Sequence, residues 1–161
     1  DAAVLIGSYK DGRLVGAKKI SLSYEPVETT VITDKKWLSF VIEQVISNAV
    51  KYTKTGGIKI YLEDGDGTMS VPVQKASHRK EDDGENSGMK SVRLVIEDTG
   101  IGIRAEDLPR ICEMGYTGCN GHEGQHSSGI GLYLCSRILK KLGHTFSITS
   151  KEGVGTVVKI G

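Results

Sequence analysis

Strands are predicted where apolar and polar residues alternate along the chain. Residues 20–24 read Ile-Ser-Leu-Ser-Tyr and are followed by Pro26, which is typical of a strand buried on one face. The β-branched run at 29–33 predicts a second strand. The same kind of pattern predicts further strands at 58–62, 92–96, 145–150 and 154–160.

Helices are predicted where apolar residues recur every three or four positions. The first helix begins after Asp34, whose side chain suits an N-cap, and ends at Gly56 and Gly57. A second helix runs from about 129 to 142 and ends at Gly143, because glycine readily adopts the left-handed conformation at a helix C-terminus.

The predicted elements sum to five or six strands and three helices, the third being a short helix near 105–111. Strands follow one another directly at both ends of the chain, so an alternating βαβ order is not sustained. This order predicts a two-layer α+β sandwich and disfavours a doubly wound parallel sheet.

Two segments lack periodicity. Residues 64–90 carry ten charges and four glycines, and structureless loops of that length are uncommon within a compact domain. We therefore expect an insertion there, either mobile or a weak hairpin around 71–73. Residues 112–128 are rich in glycine and predict a flexible flap.

Composition narrows the class of protein. The 161 residues carry 21 Lys and Arg against 20 Asp and Glu, a balance that gives no support to a polybasic nucleic-acid clamp. Three cysteines without a CxxC pair argue against a disulfide framework and for a reducing compartment. No apolar run approaches the roughly 20 residues of a membrane-spanning helix. Because the chain starts at Asp1, we expect it to be part of a longer protein, with 1–17 as the tail of a preceding segment and 18–161 as one domain.

Four polar side chains share one stripe of the first predicted helix. Gln44, Asn48, Lys51 and Tyr52 occupy positions i, i+4, i+7 and i+8, which lie above one another on a helix surface. An asparagine oxygen suits a hard cation, a lysine suits phosphate, and a tyrosine offers a flat face. The alternative is an ordinary solvated helix face.

Glycine is the compositional outlier, at 21 of 161 residues, and its placement singles out three motifs. Asp98-Thr-Gly-Ile-Gly102 follows a strand, where the Asp can accept a hydrogen bond from an exocyclic amine such as that of adenine. Residues 127–132 open a helix whose backbone N–H groups suit an anion. The last motif is Gly153-Val-Gly-Thr156. Each has a plain alternative as a turn or a hairpin.

In their order along the chain, these four motifs resemble the nucleotide-binding boxes of the GHKL superfamily of ATPases and kinases. They are most similar to those of the catalytic, ATP-binding domain of sensor histidine kinases. The segment 43–53 resembles the N box, 98–102 the G1 box, 128–132 the G2 box and 153–156 the last glycine box. The resemblance covers about residues 18–160 outside the insertion. Strings such as Gly-Tyr-Thr-Gly and Gly-Ile-Gly-Leu-Tyr-Leu-Cys are similar to a subgroup of Gram-positive membrane sensors that often respond to peptide antibiotics or the cell envelope.

The resemblance implies a Bergerat-type fold, in which three helices cover one face of a mixed sheet, and an ATP·Mg²⁺ site closed by a lid at 112–128. Asn48 would ligate Mg²⁺, Lys51 would contact phosphate, and Asp98 would bind the adenine amine. The glycines of the G1 box would let the chain pass the base, and those of the G2 box would present N–H groups to the phosphates. The implied nucleotide-binding set is Asn48, Lys51, Tyr52, Asp98, Gly100, Gly102, Ile103, Thr117, Ser128, Gly129, Ile130, Gly131, Leu132 and Thr156.

One departure from the family pattern bears on mechanism. In hydrolysing members a carboxylate one turn before the metal-binding Asn activates water, whereas this chain has Gln44 at that position. Glu43 is rotated from it by about 100° on the helix. Phosphoryl transfer to a protein nucleophile therefore fits better than hydrolysis, with Gln44, Asn48 and Lys51 as the catalytic set. An ATPase of the same superfamily remains an alternative.

A second departure lies in the lid. Cys112 stands in the region where the family's F box carries aromatic residues, although Tyr116 can compensate. This keeps open a degenerate module that binds a nucleotide or a partner without transfer. The C-x2-H-x3-H spacing of Cys119, His122 and His126 allows a zinc site to be imagined, but its glycine-rich context disfavours one.

The resemblance also implies partners. His78, His122, His126 and His144 do not lie on a long amphipathic helix followed by an acidic residue. We therefore expect the phosphoacceptor histidine on a separate dimerisation domain that this chain lacks, and a response regulator downstream. The parent protein would be a membrane-bound bacterial homodimer with this domain in the cytoplasm, and no nucleic-acid partner is expected.

Overall fold

The computed structural model of the chain describes residues 20–25, 29–64, 73–74, 91–118 and 128–161. Its strands are β1 (Ile20–Tyr24), β2 (Thr30–Val31), β3 (Gly56–Asp64), β4 (Val73–Gln74), β5 (Val92–Asp98), β6 (Phe146–Lys151) and β7 (Gly155–Ile160), and its α-helices are α1 (Lys35–Tyr52) and α2 (Gly131–Leu142). Five strands form one sheet in the order β1-β3-β5-β7-β6. The sheet is mixed, because β1 runs parallel to β3 across the α1 crossover and the other neighbouring pairs are antiparallel.

Helix α1 begins where the sequence predicts. Asp34 Oδ1 accepts hydrogen bonds from the backbone N–H groups of Lys36 and Trp37, at 3.0 and 3.1 Å, and so satisfies two of the donors that a helix start leaves open. The predicted end at Gly56 was wrong, since Thr53 is already extended. Gly56 instead opens β3 with φ 107°, where a Cβ would overlap Thr99 Oγ1.

Helix α2 ends at the predicted glycine. Gly143 adopts the left-handed conformation with φ 78°. The N–H of His144 then donates to Leu139 O at 2.9 Å, which satisfies one of the last carbonyl groups of the helix. The helix starts two residues later than predicted, at Gly131.

The predicted third helix near 105–111 was wrong. Within the described residues this segment is a turn that contains a three-residue 3₁₀-helix, Leu108–Arg110. Asp107 N–H and Arg110 N–H donate to carbonyl groups three residues earlier, at 3.1 and 2.9 Å, and Leu108 N–H makes one i to i+4 bond, to Arg104 O at 3.1 Å. Pro109 has no N–H to continue a helical ladder. Two α-helices therefore cover the sheet where three were expected.

Part of the predicted insertion pairs with the region that precedes α1. β4 lies antiparallel to β2, with Val73 opposite Val31, so the described pairing differs from a hairpin within the insertion. Residues 65–72 and 75–90, the tail 1–17 and the Cys119, His122 and His126 spacing lie outside the described residues. The domain boundary at 17 therefore stays a prediction.

Both helices pack against the same face of the sheet, which confirms the α+β sandwich. Val41 and Ile46 of α1, Leu139 of α2, and Ile58 and Ile96 of the sheet are at most 1% exposed and form one continuous cluster. The remaining buried members are Ile20, Ile42, Ala49, Val45, Val50, Ile60, Cys135, Val158 and Ile160.

The opposite face of the sheet is held by charged pairs. Lys159 Nζ donates to both carboxylate oxygens of Glu63, at 2.7 and 2.9 Å. Arg93 lies 3.9 Å from the same carboxylate. Val95 is fully buried here although it does not belong to the core cluster, because the register places it between Tyr61 and Lys159.

We expect the substitution Leu139→Ala to lower the free energy of unfolding by about 2–5 kcal/mol, because it removes a large side chain from a close-packed interior. Leu134→Ala on the same helix is the matched control. Leu134 is 37% exposed, and its truncation should cost about 1 kcal/mol or less. Urea denaturation measures both, and equal losses would contradict the place of Leu139 in the core.

Candidate functional site

A cavity of about 330 Å³ lies between the second half of α1, the end of β5, the start of β7 and the start of α2. This volume is typical of small-molecule sites. Most of the residues predicted from the sequence line it. They are Gln44, Asn48, Lys51, Tyr52, Asp98, Gly102, Ile103, Thr117, Ser128, Gly129, Gly131, Leu132 and Thr156. Gly100 and Ile130 are not among the lining residues; Gly100 is buried and Ile130 is 39% exposed.

The polar stripe of α1 faces this cavity. Gln44, Asn48, Lys51 and Tyr52 are all half-buried, which does not fit the alternative of a solvated helix face. Lys51 Nζ lies 5.2 Å from the centroid of the Tyr52 ring, within the range of a cation–π contact. Glu43 is exposed and does not line the cavity, as its rotation on the helix predicts.

Asp98 occupies the last position of β5 with its carboxylate held by backbone groups. Gly100 N–H donates to Asp98 Oδ1 at 2.8 Å. Burial raises the pKa of Asp98 above its ordinary value; hydrogen bonds from the backbone of Gly100 and Thr156 oppose this shift, and the nearby Glu97 carboxylate adds to it. The site therefore contains a partly desolvated acceptor whose ionised form is destabilised by its surroundings.

The glycines that follow Asp98 are required by neighbouring protein backbone. Gly102 has φ 69°, and a Cβ there would overlap Lys151 O. A Cβ on Gly100 would lie 2.7 Å from both Tyr52 O and Asp98 Oδ1. The next residue, Ile101, donates its N–H to Tyr52 O at 3.1 Å. This turn is therefore attached to the end of α1 by the protein's own backbone.

The start of β7 has a similar constraint. Gly155 has φ 143°, and a Cβ there would overlap Asp98 O. The register pairs Asp98 with Thr156, so the absence of a side chain at 155 brings the Thr156 hydroxyl and the Asp98 carboxylate onto neighbouring strands at the cavity wall.

The N-terminus of α2 differs from that of α1. The N-cap residue of α2, Ile130, makes no side-chain capping hydrogen bond, and the first turn of α2 contains no acidic residue, whereas Asp34 caps α1. Gly131 and Leu132 of this first turn line the cavity. Uncapped N–H groups and the positive end of the helix dipole favour an anion at this position.

The two ends of the predicted flap meet at the edge of the cavity. Gly115 N–H donates to Gly129 O at 3.0 Å. Gly129 has φ 65°, and a Cβ there would lie 2.7 Å from Tyr116 O. Gly129 of the G2 box is therefore needed to fasten the base of the flap, whose central residues 119–127 lie outside the described part of the chain.

A buried carboxylate that the sequence did not single out supports the first end of the flap. Asp107 is 6% exposed and accepts a hydrogen bond from the Tyr116 hydroxyl at 2.5 Å. The Arg110 guanidinium lies 4.3 Å above the Tyr116 ring. Asp107 and Tyr116 both line the cavity, so Tyr116 supplies an aromatic ring in the region where Cys112 lacks one.

Other lining residues were missed because they are apolar or small. Val45 and Ala49 stand beside the polar stripe on α1, and their spacing could have indicated them. Ser47 lies between Gln44 and Lys51 on the same helix, and Ile101 lies within the 98–102 motif, so their positions could also have indicated them. The others come together only through the tertiary fold and carry no signal in the local sequence: Ile96, Ile111, Gly118, Ile148 and Val158.

The described ranges offer neither an all-protein metal site nor a membrane-spanning helix. Residues 20–25, 29–64, 73–74, 91–118 and 128–161 contain no group of three or more His, Cys, Asp and Glu side chains arranged to hold a metal ion. No helix in the same ranges has the length and apolar character needed to cross a membrane.

Comparison with protein families identifies the group to which this architecture belongs. Residues 33–161 match the family described as histidine kinase-, DNA gyrase B- and HSP90-like ATPases. The chain belongs to this family. The match begins just before α1 and includes all the residues that line the cavity, so the family resemblance drawn from the four motifs is confirmed.

Curated relatives in this family are sensor kinases of Gram-positive bacteria. The sensor histidine kinase YxdK of Bacillus subtilis (strain 168) is 36% identical over 132 residues, which are 80% of this chain and 33% of YxdK. The sensor protein kinase GraS of Staphylococcus aureus (strain JH1) is 34% identical over 134 residues, which are 83% of this chain and 32% of GraS. The chain thus spans about a third of the length of these relatives.

Solved structures share the fold. The mycobacterial sensor histidine kinase MprB matches with a TM-score of 0.71 at 19% identity, over 99% of this chain and 93% of that one. Full-length ShkA in complex with AMPPNP matches with a TM-score of 0.70 at 21% identity, over 99% of this chain and 29% of that one. At these identities the likeness establishes the architecture alone.

We expect Gly155→Ala to lower the free energy of unfolding by about 3 kcal/mol or more, because the new methyl group would overlap Asp98 O in a backbone conformation that alanine disfavours. Gly153→Ala is the matched control. Gly153 also has positive φ, at 74°, but no atom lies within 4 Å of the added Cβ, so only backbone strain of about 1–2 kcal/mol is expected. Similar losses in urea denaturation would contradict the close approach at Asp98.

The raised pKa of Asp98 has a consequence for stability. The folded state binds a proton on the Asp98 carboxyl group more tightly than the unfolded state does. Ionisation of Asp98 therefore lowers the free energy of unfolding. Relative to Asp98→Asn, wild-type stability should rise as pH falls from neutrality and level off below the ordinary value of 3.8. Urea denaturation at several pH values measures this difference, with Gly153→Ala as a charge-neutral control. A pH-independent difference between wild type and Asp98→Asn would refute the expected linkage.

Proposed function

We propose that this chain binds ATP with Mg²⁺ and acts as the phosphoryl-donor module of a sensor histidine kinase. The observation that carries the proposal is the pairing, in one cavity, of a partly desolvated carboxylate acceptor with an uncapped helix N-terminus. The carboxylate of Asp98 suits the amine of a base, and the N–H groups of the first turn of α2 suit phosphate. One nucleotide would satisfy both.

The residues of the cavity fit Mg²⁺ and a polyphosphate. Asn48 offers a neutral amide oxygen, which suits a hard cation that is held chiefly by the phosphates of its ligand. Lys51 lies one turn further along the same face of α1 and adds positive charge. When bound, Mg²⁺ would supply charge neutralisation at the phosphate oxygens. The absence of an all-protein metal cluster among the described residues is consistent with a cation shared with its ligand.

The carboxylates that line the cavity favour transfer over hydrolysis. The lining position one turn before Asn48 holds Gln44, which cannot take a proton from water. Asp98 is assigned to the base of the nucleotide, at the other end of the ligand from its phosphates, and Asp107 accepts from the Tyr116 hydroxyl. Glu43 is exposed and lies outside the cavity. Positioning of a phosphoryl group for a protein nucleophile therefore suits the site better than activation of water.

The phosphoacceptor belongs to another domain in this proposal. His144 is the histidine that the structure describes, and it is buried between Thr33 Oγ1 at 2.8 Å and Gly161 O at 3.1 Å, where a phosphoryl donor has no access. A histidine on a helical dimerisation domain would accept the group, and a response regulator would receive it next. The names of YxdK and GraS as sensor kinases support a parent of this kind, a bacterial membrane-bound homodimer that holds this domain on the cytoplasmic side.

We expect ATP to raise the thermal stability of the wild-type chain in a Mg²⁺-dependent way. A ligand present at 100 times its Kd adds about 2.7 kcal/mol. Asn48→Ala should abolish the Mg²⁺-dependent part, and Asp98→Asn should weaken binding with and without Mg²⁺. Glu43→Ala and Asp64→Asn, at exposed positions, are the matched controls. Failure of wild type to respond to ATP would refute the proposal.

Phosphoryl transfer needs a separate measurement. When the chain is joined to the dimerisation domain of a sensor kinase relative, acid-labile phosphohistidine should form from labelled ATP and should be lost in Asn48→Ala. Release of inorganic phosphate without phosphohistidine, abolished by Gln44→Ala and retained in Glu43→Ala, would identify an ATPase instead. Nucleotide binding without either product would leave a regulatory binding module.

A further inference from the structure

A polar residue occupies a position of β6 where the strand pattern calls for an apolar one. The inward row of this strand contains Phe146 and Ile148, which pack against the core cluster, and next in the same row is Ser150. Its side chain is half-buried and does not line the cavity. The residue therefore lies beside the cavity wall, two positions along β6 from the lining residue Ile148.

The hydroxyl of Ser150 joins three segments of that wall. Ile103 N–H donates to Ser150 Oγ at 2.9 Å. Ser150 Oγ donates to Gly155 O at 2.8 Å. The third partner is Thr156 Oγ1, also at 2.9 Å. Ile103 and Thr156 line the cavity, so one hydroxyl fixes two lining residues and the glycine that lies against Asp98.

Proton counting decides the direction of the third hydrogen bond. A carbonyl can only accept, so the single proton of Ser150 is directed to Gly155 O. Ser150 Oγ must then accept from Thr156, which uses the single proton of the Thr156 hydroxyl. What remains at Thr156 Oγ1 are lone pairs, and the cavity wall at this point can accept hydrogen bonds but cannot donate them.

We propose that Ser150 is a positioning residue that makes Thr156 an obligate acceptor and thereby helps to select the base. Thr156 stands opposite Asp98 in the β5–β7 register, and Asp98 is itself an acceptor when ionised. Two acceptors side by side favour adenine, whose edge presents an amine at this place. They disfavour guanine, whose edge presents a carbonyl there. The inference rests on the proposed nucleotide site.

Removal of the Ser150 hydroxyl frees the Thr156 proton to turn toward the cavity. In Ser150→Ala, ATP affinity should fall by roughly three- to tenfold, the value of one hydrogen bond. GTP affinity should fall less or should rise, so the ATP-to-GTP affinity ratio should decrease. Titration calorimetry of the 161-residue chain with each nucleotide and Mg²⁺ measures both affinities. A structural defect alone would weaken the two nucleotides equally and leave the ratio unchanged, which would overturn the inference.

Two further variants of β6 serve as controls. Ser147→Ala makes the same substitution on the exposed face of the strand and should leave both affinities unchanged. Ser150→Thr keeps the hydroxyl and should retain most of the wild-type ATP-to-GTP ratio. A ratio in Ser150→Thr as low as that of Ser150→Ala, with both chains folded, would contradict the assigned role of the hydroxyl.

A double-mutant cycle tests whether Ser150 acts through Thr156. Thr156→Val keeps the shape of the side chain but removes its oxygen, and it should itself lower the ATP-to-GTP ratio. Addition of Ser150→Ala to this variant should change the ratio by less than twofold. Additive effects of the two substitutions on the ATP-to-GTP affinity ratio would overturn the inference. If Ser150→Ala does not fold, a wild-type ratio in Thr156→Val alone would overturn it. Failure of wild type to bind ATP would instead refute the proposed function, so the two failures are distinguishable.

Discussion

The close approach of two strands at one carbonyl group sets the geometry of the whole site. At the end of β5, Asp98 O lies where a Cβ on Gly155 would have to be, so only a glycine lets β7 continue beside it. That contact places the Asp98 carboxylate next to Thr156. The turn after Asp98 is then anchored to the end of α1 through Ile101 N–H and Tyr52 O, at 3.1 Å. Backbone contacts therefore fix the end of β5 and the start of β7 relative to the polar stripe of α1.

This constraint changes how the glycine motifs are understood. The sequence suggests that their glycines make room for a ligand, but Gly102, Gly129 and Gly155 each have positive φ and each lie against protein backbone. Their first role is to bring the turn after β5, the base of the flap and the start of β7 together. The cavity is thereby formed before a ligand enters, which reduces the ordering that binding would otherwise require. A motif that resembles a ligand contact is here also a packing requirement of the fold.

The sequence predicted those features that depend on local chemistry. Asp34 as an N-cap, Gly143 as a C-terminal glycine and the shared stripe from Gln44 to Tyr52 are all confirmed, since each follows from neighbouring residues on one helix. The predicted end of α1 was wrong: Tyr52 O accepts from Ile101 N–H, a tertiary contact that the pattern does not contain. The predicted third helix was wrong because Pro109 has no N–H to continue a helical ladder, a local signal that the apolar spacing outweighed. Asp107 gave no signal in the sequence, and Ser150 showed only a polar residue in an otherwise apolar row of β6. Their roles could not be predicted because their partners are brought to them by other segments: Tyr116 across a turn, and Ile103 from the loop after β5.

The two helices illustrate a division between stability and binding. Asp34 caps the N-terminus of α1 with its side chain, whereas Ile130, the N-cap residue of α2 at the cavity, makes no such hydrogen bond. Asp98 is also incompletely satisfied. Burial disfavours the charge that makes its carboxylate a strong acceptor, and so raises its pKa. Both groups would be better satisfied by a bound molecule that carries an anionic end and a hydrogen-bond donor. In the proposed function a nucleotide is that molecule, and the interactions that the fold leaves incomplete are the ones that binding completes.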